Sequence, residues 1–213
     1  MGFGQFIYDY QTLIGAAAAI AAAYVAVRPV WRQLELTQTQ ANGVLREMLL
    51  HRQAELTQAQ SALIDKVGRP LNNLAFELDV DMGGTNITEH EAHQHDMGLS
   101  QAVSWLRQGY NWRDSSKAEA AKNAIIEKID ALLSVLSDVH APAHTDQSGE
   151  DYAMTDEQWS AFVARGEEAK GEVPAALAEA QEAYREFWTS LETEKSVIGV
   201  RLRNVNDALA LIP

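Results

Sequence analysis

Between Asp9 and Arg28 the chain runs for 18 residues, Tyr10 to Val27, without a charged side chain. This run constrains the fold more than any other feature. It reads YQTLIGAAAAIAAAYVAV, and alanine is the strongest helix former. As a helix it would span roughly 27 Å, close to the ~30 Å of a bilayer's hydrocarbon. Phe3, Phe6, Tyr8 and Tyr10 precede the run, and Tyr24 and Trp31 flank its far end, in the manner of interfacial aromatic belts. Its favourable insertion residues are Leu13, Ile14, Ile20, Val25 and Val27, which together supply only roughly −2 kcal/mol. A cleaved signal peptide would need basic residues at the start, and the first nine residues hold Asp9 alone. A buried helix of a globular domain is the other alternative. Length, absence of charge and aromatic flanks favour a single transmembrane helix over both.

Arg28 and Arg32 follow the run and no Lys or Arg precedes it. The positive-inside rule then places the N-terminus outside and the C-terminal part in the cytoplasm, with the protein in the cell inner membrane. Gly15, Ala19 and Ala23 form a small-residue ladder on which two anchors could pack. The stretch Asp9-Tyr10-Gln11-Thr12-Leu13-Ile14, the alanine run, and Arg28 and Arg32 before a Gln-rich helix resemble the anchors of uncharacterised bacterial single-pass membrane proteins. That resemblance covers residues 8–40 and implies inner-membrane anchoring without implying an activity.

Beyond the run an all-α chain is expected, in three parts: an anchor over 1–29, a helical stalk over 30–69 and an acidic helical bundle over 70–213. In the stalk Leu49, Leu56 and Leu63 recur every seven residues, and Val30, Leu34, Ala41, Val44 and Met48 keep a rough helical stripe. Gly68-Arg69-Pro70 should end it. Leu71, Leu74, Phe76, Leu78 and Val80 follow as a short apolar stretch, and residues 81–86 read as a turn. From Ser116 to Val139 an amphipathic helix is expected, with Ile125, Ile129, Leu132, Leu133, Leu136 and Val139 on one face. Residues 141–153 read as a loop. Thr155 to Gln158 forms a capping box that opens a helix burying Trp159, Phe162 and Val163. A further helix should begin at Pro174 and carry Leu177, Tyr184, Leu191, Ile198 and Val205 at seven-residue spacing.

The formal net charge of −13 divides as −1 over residues 1–80 and −12 over 81–213. An acidic chain lacks the basic footprint of a nucleic-acid binder. No cysteine is present, which excludes disulfides, thiolate metal sites and a cysteine nucleophile.

The densest cluster of ligand-type side chains is Glu89 to Asp96, with His90, His93, His95 and three carboxylates in eight residues. Imidazole and carboxylate suit zinc, nickel or iron, so His90, His93 and His95 are the candidate metal ligands. His140 and His144 could complete a site after folding. The zinc-protease spacing is not met, because Gln94 stands where a second histidine would be needed. A solvated polar loop or a helix start with intrahelical charge pairs, and a histidine pH switch, are the competing readings. Trp105, Tyr110 and Trp112, with Arg107 and Arg113, could stack on a ligand, and Ser100 and Ser104 lack a nucleophile elbow.

The function expected from these features is a membrane-anchored interaction or assembly protein. It would contact lipid through residues 10–27, self-associate or bind an unidentified protein, and carry no catalytic residue or cofactor. The alternatives are a membrane-tethered metal enzyme or sensor using the histidine cluster and a divalent transition ion, and a phage-derived envelope or lysis component.

Overall fold

The computed structural model describes residues 3–80, 87–109, 115–145 and 154–210. Every regular element among them is helical, as the patterning requires. Helix α1 covers Phe3–Leu63, and a π-helical turn, Ile64–Gly68, leads into α2, Arg69–Val80. Then come α3, Glu89–Gln108, α4, Ser116–His144, and α5, Asp156–Ala210. The chain forms two compact units, residues 1–52 with 199–213, and residues 53–198.

In the first unit α1 continues through Pro29 and Gly43. Residues 15–38 are exposed throughout. Arg46 Nε donates to Asn206 Oδ1 at 2.9 Å, and Leu49, Leu202 and Val205 are buried. No helix among the described residues is long and apolar enough to cross a membrane. This overturns the predicted single-pass anchor, its inner-membrane location and its orientation. It also leaves lipid contact through residues 10–27 without a span to carry it. The physical reason is the alanine: freedom from charge is not hydrophobicity, and alanine adds almost nothing to insertion. Within 15–27 only Ile20, Val25 and Val27 are large aliphatic residues. The side chains of Leu13 and Ile14 lie outside the described residues. Gly15, Ala19 and Ala23 are exposed, and a Cβ at Gly15 would meet nothing within 4 Å.

In the second unit the core is drawn from every helix. Leu56, Ala59 and Leu63 of α1, Leu71 and Leu74 of α2, and Leu99, Ala102, Val103 and Leu106 of α3 are buried. The stripe expected on α4 is buried at Ile125, Ile129, Leu132, Leu136 and Val139. Leu133 lies at its edge, half-buried. The seven-residue row on α5 is buried at Leu177, Leu191 and Ile198 and half-buried at Tyr184, with buried Val173, Ala180 and Phe187 between and before them. Ala59, Leu63, Leu106, Phe187 and Leu191 line one shallow apolar hollow. Gln60, 4% exposed, is held at both ends of its amide: it donates to Glu192 Oε1 at 2.5 Å and accepts from Lys195 Nζ at 3.1 Å.

Three expected stops are not stops. At Gly68-Arg69-Pro70 the chain stays helical by widening one turn, so that Arg69 N–H reaches Ile64 O. A π turn absorbs an irregularity that proline, lacking an N–H, creates just ahead of itself. A Cβ at Gly68 would lie 2.8 Å from the Tyr184 hydroxyl oxygen, so the bare glycine admits the tyrosine. Burial, the only cause acting on it, raises the Tyr184 phenol pKa. On α4 the helix runs past Val139 through Pro142 to His144, where a loop was expected; residues 146–153 lie outside the described residues. On α5 there is one helix where two were expected, with Pro174 inside it. Buried Ala169, Val173 and Leu177 run across the proline, and their packing outweighs its cost.

The apolar stretch after residue 70 is α2, but Phe76 is 69% exposed. At the start of α5 the capping box forms, with Thr155 N to Gln158 Oε1 at 2.9 Å and Gln158 N to Thr155 Oγ1 at 3.2 Å. Trp159 and Phe162 are half-buried against each other, centroids 5.8 Å apart. Val163, expected inside, is 37% exposed. The 81–86 turn lies outside the described residues.

Candidate metal centre

Helix α3 opens on a second capping box, at Thr88 and Glu91. Glu91 N donates to Thr88 Oγ1 at 3.3 Å, and Thr88 N donates to Glu91 Oε2 at 2.8 Å. The Thr88 backbone bond, reinforced by its hydroxyl, lowers the Glu91 carboxyl pKa. The T-x-x-E signature at 88–91 was present in the sequence, inside the segment read as polar loop or helix start. The box fixes where the helix begins, and with it which faces the three histidines take.

Those faces differ. His90 pairs with Gln94, Nε2 to Nε2 at 2.9 Å. His95 Nε2 meets Glu77 Oε2 of α2 at 2.5 Å. His93 turns instead toward α4, which packs along α3. There it meets His140 and His144, with ring centroids 5.0 Å and 4.7 Å away. The His140 and His144 centroids are 5.6 Å apart. Thus the structure gathers His93, His140 and His144, and sends His90 and His95 to other neighbours.

The three residues each offer one ring nitrogen, all within 4.8 Å of one another. Tetrahedral zinc with Zn–N near 2.0–2.1 Å needs nitrogens about 3.4 Å apart. Side-chain rotation on two helical turns would close the difference. His93 Nδ1 and His140 Nδ1 are buried and have no hydrogen-bond partner. Buried polar atoms are nearly always satisfied, and imidazole nitrogen is a donor that borderline metal ions take. His140 Nε2 contacts Asp96 Oδ2 at 2.9 Å, while Ser100 Oγ donates to Asp96 Oδ1 at 3.4 Å. A carboxylate on the far nitrogen of a ligating histidine orients the ring and raises its basicity.

The end of α4 is held from the other side by α5. Gly166 sits so close that a Cβ would be 3.1 Å from Pro142 Cγ and 3.2 Å from Asp138 O. That carbonyl lacks its usual partner because Pro142 has no N–H. Arg165 bridges Asp138 and Glu172, at 3.1 Å and 2.6 Å. Its hydrogen bond to Glu172 is the main cause of its raised pKa, and the same bond lowers that of Glu172.

Among the described residues the other sequence candidates do not converge. Trp105 lines the apolar hollow, Arg107 pairs with Asp130 at 2.5 Å, and Ser104 Oγ accepts from Gln108. Tyr110, Trp112 and Arg113 lie outside the described residues. His140 and His144, which the sequence offered as residues able to complete a site, stand four apart on one face of α4; Pro142 between them made the segment read as a loop. Comparison with protein-family models, with curated proteins and with solved structures found no match to the chain.

Proposed function

We propose that the chain is a helical metal-binding protein in which His93, His140 and His144 hold one divalent transition ion, fastening α3 to the end of α4. The observation that carries this reading is the pair of buried Nδ1 atoms, on His93 and His140, left without partners inside a three-histidine cluster. Three neutral imidazoles and no thiolate favour zinc, nickel, copper or cobalt over calcium and magnesium. Three protein ligands leave a fourth position for water. Asp96 acts on His140 from outside the ligand set. A metal-dependent fastening of two helices suits a sensor or a regulated interaction module.

The test is a zinc titration of tag-free full-length chain against a chromophoric chelator. One equivalent is expected to bind. His93→Ala and His140→Ala should each weaken it at least tenfold, while His90→Ala and His95→Ala leave it unchanged. An unchanged affinity in the His93→Ala, His140→Ala double variant would refute the assignment.

A further inference from the structure

Helix α1 carries an apolar seam that its own chain leaves bare. Ile20, Val27, Leu34 and Met48 form one row, with Ala41 completing the spacing. Tyr24, Trp31 and Leu45 form the other, with Gln38 between. The steps alternate four and three residues over about 40 Å of helix. That 3.5-residue repeat is the pattern of a left-handed coiled coil. The seven large residues are 43% to 74% exposed, whereas isolated apolar side chains, not continuous seams, are normal on a monomer's surface. Among the described residues the C-terminal turns of α5 leave these side chains exposed, and Asn206 meets α1 at Arg46, on the face beside the seam. Pro29 falls on the side opposite the seam, where its ring does not obstruct a partner helix.

We infer that the seam is covered by α1 of a second copy of this chain, running antiparallel. Between residues 10 and 45 the only charged side chains are Arg28, Arg32 and Glu35. Arg28 and Glu35 both directly follow the row of Ile20, Val27 and Leu34, on one flank of the seam. In an antiparallel pair like flanks face each other, so Arg28 meets the partner's Glu35 and Glu35 meets the partner's Arg28. In a parallel pair the same two residues would face Ala23 and Val30, and no ion pair would form. The antiparallel register also lays Tyr24 over the partner's Ala41 and Trp31 over the partner's Leu34. Leu45 then meets the partner's Ile20.

Sedimentation of the full chain at micromolar concentration is expected to give a dimer. Trp31→Glu with Leu34→Glu should give a monomer of unchanged helicity, since these side chains are exposed within one chain. Arg28→Glu should weaken the dimer roughly three- to tenfold, and adding Glu35→Arg should restore it. Because the chain has no cysteine, disulfide trapping reads the direction. Tyr24→Cys with Ala41→Cys should cross-link two chains under mild oxidant, and Tyr24→Cys alone should not. A chain that stays monomeric, or Tyr24→Cys cross-linking to itself as a parallel pair would, overturns the inference.

Discussion

Single residues set the candidate centre by what they leave unbonded as much as by what they bind. His140 has Nε2 on Asp96 and Nδ1 buried without a hydrogen-bond partner, and its ring lies against those of His93 and His144. Asp96→Asn removes the carboxylate charge that contacts His140 Nε2 and orients its ring, while nearly preserving the side chain's shape. It should weaken zinc binding about 10- to 100-fold, measured by chelator competition, with little change in the metal-free circular dichroism spectrum. Upstream, Thr88→Ala should cost about 1 kcal/mol of stability through loss of the cap, measured by urea denaturation. The Glu91 side of the box is pH-dependent. Its carboxyl pKa is lowered in the folded chain, so the stability it supplies is present above the ordinary carboxylate pKa. That stability is lost as pH falls through the lowered native value. Glu91→Gln should flatten that acid limb of the stability profile. The histidine-rich segment was legible as a source of ligands, but only His93 of its three joins the cluster. Its partners lie 47 and 51 positions further on, and a single sequence does not reveal which helix faces meet across that distance.

At the scale of elements, periodic apolar rows were the most legible feature and lone helix breakers the least. Most of the α4 stripe and of the α5 row is buried where the spacing put it, with Leu133 and Tyr184 half-buried, because a helix with one apolar face has a single way to hide it. Pro142, Pro174 and the Gly68–Pro70 stretch read as helix boundaries, yet each is carried inside helix by neighbours that pack across it. The alanine run shows the opposite error, where absence of charge was taken for hydrophobicity. Two substitutions probe the packing. Leu132→Ala, at a position fully buried, should cost roughly 2–5 kcal/mol. Gly68→Ala drives a Cβ onto the Tyr184 ring and should destabilise by roughly 1–3 kcal/mol, despite alanine's better helix propensity. Tyr184→Phe in the same chain should recover part of the loss, and thermal unfolding of the unsubstituted chain, the two single variants and the double variant would show the coupling.

At the scale of the molecule, a metal ion that binds only the folded 53–198 unit must stabilise it. Free zinc at 100 times its dissociation constant adds about 2.7 kcal/mol, which for a chain of this size raises Tm by roughly 5–10 °C. The shift should vanish in His93→Ala with His140→Ala. The most direct measurement is zinc-edge X-ray absorption on the tag-free full-length protein loaded with one equivalent. Three imidazole nitrogens at about 2.0–2.1 Å, reduced in the His144→Ala variant, is the result expected. A first shell made only of water or carboxylate oxygen, or one unchanged when His93, His140 and His144 are replaced together, would contradict a three-histidine centre.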